Sequence, residues 1–155
     1  MKPRTIWVSL IVLEALVGLN AVWAGYQMLT GGWSLPIRWL VHTSFDSWAL
    51  PGLALLLLPG VGELLAAGFT LGRLPYYRRL SMFAGAGLAA WVLVQLAWMR
   101  VVQPVMHPLV FGVGVLITVL AGELGRIESV GQPPPPHATR DETTPTPYHT
   151  VLGRR

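Results

Sequence analysis

The stretch that decides the fold runs Trp48-Ala-Leu-Pro-Gly-Leu-Ala-Leu-Leu-Leu-Leu-Pro-Gly-Val-Gly-Glu-Leu-Leu-Ala-Ala-Gly-Phe-Thr-Leu71. As a helix rising about 1.5 Å per residue, it is long enough to cross the roughly 30 Å hydrocarbon core of a bilayer. Its one ionisable group is Glu63, and it carries two Pro-Gly steps, at Pro51 and Pro59. Pro51 is close enough to one end to sit in a first turn, where a missing N–H costs little. Pro59 is internal and is expected to kink the helix.

Working outward, three more apolar runs of spanning length appear, at about 6–29, 81–102 and 109–125. The 155 residues are 53 % hydrophobic and only 12 % charged, whereas a soluble chain carries roughly a quarter charged residues. Mean hydropathy is +0.54. The expected architecture is therefore an all-α membrane protein, an antiparallel four-transmembrane-helix bundle over residues 1–126. The first run is longer than the roughly 7–15 apolar residues of a secretory signal and is read as a retained helix. Without cysteine there is no disulfide and no thiolate chemistry.

Residues Thr30–Ser47 form the longest connection. Gly31-Gly32 ends the first helix, and Ser34 and Pro36 begin a short helix carrying Ile37, Trp39, Leu40 and Val41. Trp33, Trp39 and Trp48 are spaced like an aromatic belt at headgroup level, so this segment is expected to lie along the interface. Residues 127–155, with Pro133–Pro136 and a Thr-Thr-Pro-Thr-Pro run, lack the apolar content to fold and are read as a disordered Pro/Thr-rich tail.

Charge placement sets the orientation. If the N-terminus is cytoplasmic, that side holds Lys2, Arg4, Arg73, Arg78, Arg79, Arg126, Arg140, Arg154 and Arg155, nine cations against Arg38 and Arg100 outside. The positive-inside rule then places both termini in the cytoplasm. The same placement accounts for the pI near 10.1 without invoking nucleic acid.

Two intramembrane carboxylates are the first site candidates. Glu14 and Glu63 each lie eight residues from the same end of their antiparallel spans, so they reach matching depth. Gly18, Ala21 and Gly25 share a face with Glu14, and Gly60, Ala66, Ala67 and Thr70 surround Glu63. Small residues let membrane helices approach closely, which turns both carboxylates inward. An ionisable residue in a span is a functional hypothesis by default: here, two carboxylates holding a proton or a cation. The plainer reading is a structural pair bonded to Asn20, Thr70, Thr118 or a nearby cation. Gln95 completes the expected polar surroundings, on one face of the third span with Trp91 and Trp98.

A second cluster lies at the opposite end: His42, Asp46, Arg100 and His107, with Gln103. Two histidines could ligate haem, and Gln95 could meet a quinone, but zinc needs three or four ligands. An ion pair of Asp46 with Arg100 or Arg38 is the better expectation. There is no Ser-His-Asp spacing, no HExxH, no glycine-rich phosphate loop and no dense carboxylate cluster. No catalytic residue is assigned, and neither metal nor other cofactor is expected.

Leu35-Pro36, Trp39-Leu40, Thr43, Phe45, Trp48 and Pro51-Gly52-Leu53, followed by Trp91, Val94-Gln95, His107-Pro108 and Phe111-Gly112, resemble the motifs of a family of small bacterial four-span integral membrane proteins. The resemblance covers about residues 17–122. It departs where Thr30-Gly31-Gly32 replaces a DPSG-like step and where Thr43-Ser44 replaces Thr-Pro. It implies a four-helix bundle with the outer loop packed on it, in a bacterial cytoplasmic membrane, and it brings no reaction and no catalytic residues.

The leading expectation is thus a non-enzymatic accessory or scaffold subunit, whose partners are the lipid bilayer and a larger membrane complex or further copies of itself. A small proton- or cation-coupled carrier using Glu14 and Glu63 comes second. A haem- or quinone-binding redox subunit comes third.

Overall fold

The computed structural model describes residues 2–100 and 102–130. The Pro/Thr-rich stretch expected to be disordered lies almost wholly outside the described residues. Four helices are long and apolar enough to cross a membrane: α1 (Pro3–Thr30), α2 (Ala49–Leu71), α3 (Tyr77–Met99) and α4 (Met106–Val130). With connections this short between α2 and α3 and between α3 and α4, neighbouring helices run antiparallel. The class is settled at this level: an all-α, four-helix, multi-pass membrane protein.

The helix ends follow local chemistry. Pro3 opens α1, where its missing N–H is not needed and its fixed φ suits a helix. Gly31 closes α1 in the left-handed conformation, φ 70°. Arg100, at φ 54°, stops α3 before the Val102 expected from hydropathy. At its other end α3 begins earlier than hydropathy suggested, because Tyr77 and Arg78 are tied to α4: the Tyr77 hydroxyl donates to Glu128 Oε1 at 2.8 Å. Arg78 Nη1 lies 3.0 Å from Glu128 Oε2. The same clasp carries α4 on to Val130, past the 125 read from apolar content, with Glu123 and Arg126 paired one turn apart.

Close backbone approaches set the packing. A Cβ on Gly18 would meet Leu64 at 2.7 Å, one on Gly60 would meet Val22 at 2.9 Å, and one on Gly25 would meet the Gly52 carbonyl at 2.6 Å. These contacts seat α1 against α2 along its length. A Cβ on Gly85 would meet the Gly114 carbonyl at 2.6 Å, and one on Gly114 would meet the Gly85 carbonyl at 2.7 Å, so α3 and α4 cross there backbone to backbone. Ile6 and Leu10 of α1 join Ile117, Leu120, Ala121 and Leu124 of α4 in a buried cluster that closes the ring.

The segment between α1 and α2 is folded onto the helix ends. Its helical part is a single 3-10 turn, Ile37–Leu40, shorter than expected. Trp33 meets Trp23 of α1 edge-on at 5.4 Å, Trp39 meets Trp48 at 6.4 Å and Phe45 lies 5.3 Å from Trp98 of α3. Thr43 Oγ1 donates to the Leu40 carbonyl and accepts the Phe45 N–H, which turns the chain back toward α2.

Candidate functional site: the carboxylates and the kink

Within α2 the regular helix gives way to a π-turn over Leu56–Val61, with Pro59 inside it. Proline removes one N–H and its ring pushes the preceding turn away, and the wider turn absorbs both effects. Glu63 follows one turn later. Its residue is 1 % exposed, and neither carboxylate oxygen has a hydrogen-bond partner among the described residues. Beside it, between α2 and α3, lies a cavity of about 310 Å³ lined by Pro59, Glu63, Leu58, Phe83, Leu88 and Trp91, among others. The Trp91 indole N–H is buried and also without a partner. The residues that carry this unpaired acceptor and this unpaired donor thus both line one apolar chamber, whose rim, Leu58 and Phe83, is exposed on the outer surface.

Glu14 is fully buried too, and its oxygens are likewise unpartnered. It lies beside the hydroxyls of Thr70 and Ser81, which bond to one another at 3.0 Å across the α2–α3 junction. Trp7 of α1 donates to the Thr70 carbonyl at 2.8 Å, and Gly18 sits on Leu64. By the register of the Gly18–Leu64 and Gly60–Val22 contacts, Glu14 stands level with Gly68, five residues or about 7.5 Å along the axis from Glu63. They also have different neighbours. Glu14 looks to the hydroxyl pair, and Glu63 to the cavity.

The expected polar surroundings are only partly assembled. Thr70 is in place. Asn20 is exposed on the outer surface of α1, because it lies six residues beyond Glu14, off the face that meets α2. Thr118 spends its hydroxyl on the Gly114 carbonyl of its own helix at 2.9 Å and packs against Gly85. Gln95 is half-buried and makes no side-chain hydrogen bond to either carboxylate. Ser81 is the neighbour that hydropathy hid, since it marked the expected start of a span, whereas Trp91 was expected only as a companion of Gln95 on one face of the third span.

At the opposite end the expected ion pairs do not form. Asp46, Arg38 and Arg100 are exposed, and among the described residues the salt bridges are Arg78–Glu128 and Arg126–Glu123. The segment around His42 is turns rather than helix, so His42 and Asp46 are not brought together by an i, i+4 register. His107 Nδ1 accepts the Gln103 backbone N–H at 3.0 Å, closing the turn into α4. No group of three or more His, Cys, Asp or Glu side chains gathers among the described residues.

Comparison with known proteins finds no matching family model, curated protein or solved structure.

Proposed function

We propose that this protein is a small proton- or cation-coupled carrier whose ligand site is the α2–α3 cavity and whose binding group is Glu63. The observation that carries the reading is a fully buried, unpartnered carboxylate on the wall of a chamber opened by the Pro59 π-turn. An ionised carboxylate in hydrocarbon needs a counter-charge or a proton, so the site exchanges one for the other. The apolar walls beside a carboxyl support a protonated lipophilic amine as the ligand. Its ammonium N–H groups meet Glu63, its apolar body fills the space beside Leu58, Phe83 and Val94, and an oxygen on it accepts the Trp91 N–H. Binding is then R–NH₃⁺ plus neutral Glu63 giving the ion pair and one proton released to solvent. The exposed rim favours access from the lipid side.

The test is the thermal midpoint of the purified protein in detergent with 2-phenoxyethylamine and with its uncharged counterpart ethoxybenzene. The amine is expected to raise the midpoint of the wild type and to leave Glu63→Gln unchanged, with ethoxybenzene inert on both. An equal shift in Glu63→Gln contradicts the reading.

The accessory or scaffold reading keeps one observation of its own. A Cβ on Gly62, Gly68, Gly112 or Gly122 would meet nothing within 4 Å, leaving narrow places on the outer surface where another helix could approach closely. The Gly18, Gly25, Gly60 and Gly85 faces do not serve it, being spent inside the bundle. A stable hetero-complex recovered from membranes, with no amine response, would favour this second reading.

A further inference from the structure

At the end of the bundle that carries the N-terminus, a second cavity of about 500 Å³ lies between the start of α1, the α2–α3 turn and the last turns of α4. Lys2, Arg4 and Arg73 line it, with Trp7, Leu124 and one carboxylate, Glu128. That carboxylate is already held by Arg78 and Tyr77. Lys2, Arg4 and Arg73 have no carboxylate partner among the described residues. Among the described residues, three cations thus meet one carboxylate, already engaged, around a single space.

The space is built, not incidental. The Arg73 guanidinium stands 4.9 Å from the centre of the Trp7 ring, and Trp7 is fixed by its bond to the Thr70 carbonyl. Stacking on an indole leaves the guanidinium fork free to take two oxygens of one phosphate. Arg73 itself sits at φ 48°, a left-handed conformation unfavourable for a non-glycine residue, and its guanidinium lies over Trp7 of α1.

We propose that this cavity binds the phosphate headgroup of an anionic membrane lipid. A phosphate diester is the ligand chemistry that three cations and a bidentate fork recognise. Free inorganic phosphate shares it, but the place favours lipid: the cavity lies where the spans end, at headgroup depth, and exposed Val8 and Val12, one and two turns beyond Arg4 on α1, give an acyl chain an apolar path downward. Basic pockets between transmembrane helices bind anionic headgroups in this way.

The experiment reconstitutes the whole protein in nanodiscs of phosphatidylcholine, with or without phosphatidylglycerol, and counts lipids retained on release by native mass spectrometry. Phosphatidylglycerol is expected to be retained in preference to phosphatidylcholine. The preference should fall roughly fivefold per cation removed in Arg4→Gln and Arg73→Gln and hold in Arg38→Gln at the far end. If Arg73→Gln does not accumulate, the Lys2→Gln/Arg4→Gln pair carries the test, since neither side chain forms a salt bridge among the described residues. Unchanged preference in these variants overturns the proposal. So does displacement of the retained phosphatidylglycerol by millimolar inorganic phosphate, which would assign the pocket to the free ion.

Discussion

At the scale of single residues, the two carboxylates separate into different roles. Glu63 lines the cavity beside Pro59, whereas Glu14 lies beside the Thr70–Ser81 hydroxyl pair. Replacing either by Gln removes the ionisable proton without changing shape. Glu14→Gln is expected to keep the amine response and to melt no lower than wild type, because a buried carboxyl without hydrogen-bond partners is a cost rather than a support. Loss of the amine response in Glu14→Gln as well as in Glu63→Gln would mean that the two act as one site. That both acids turn inward was legible from the small residues around them. Which neighbour each would meet was not, because a difference of about one turn in register separates the cavity from the hydroxyl pair. Ser81 gave no sign of its place, and Trp91 showed its face but not its partner, for the same reason: hydropathy reports burial in lipid, not direction within a bundle.

At the scale of elements, α2 is a helix with a built-in defect. Pro59→Ala restores the missing N–H and permits a regular helix, so it is expected to raise the thermal midpoint while weakening the amine-dependent shift. A variant that melts higher and still responds fully would show that the π-turn does not shape the cavity. The α3–α4 crossing depends on the absence of side chains. Gly85→Val would drive a Cβ to 2.6 Å from the Gly114 carbonyl and is expected to destabilise by about 1–3 kcal/mol. Gly68→Ala, with nothing within 4 Å of the new methyl, should be neutral. The Arg78–Glu128 pair is more than a third exposed, so its loss in Arg78→Gln should cost at most about 1 kcal/mol. Helix identity was readable from run length alone, and the π-turn was foreshadowed by Pro59. The early start of α3 and the late end of α4 were not, since both depend on a clasp joining residues 51 apart in sequence.

At the scale of the molecule, four spans put the N-terminus and the end of α4 on one side of the membrane, and the cation count proposes that this side is the cytoplasm. The chain has no cysteine, so single replacements report topology cleanly. His42→Cys in intact cells should react with an impermeant maleimide, and Ser129→Cys only after lysis. Labelling of both from outside would contradict the topology. The tryptophan-rich connection between α1 and α2, folded across the ends of α1 and α3, gives the bundle one capped end and leaves the other to the cations. The carrier reading sets its exchange of proton for amine midway between them.

The central claim is that exchange, and its most direct measurement is proton release on binding. The wild type in weakly buffered detergent solution, titrated with 2-phenoxyethylammonium, should release about one proton per amine bound, and Glu63→Gln should release none. Binding without proton release, or release that persists in Glu63→Gln, would contradict it.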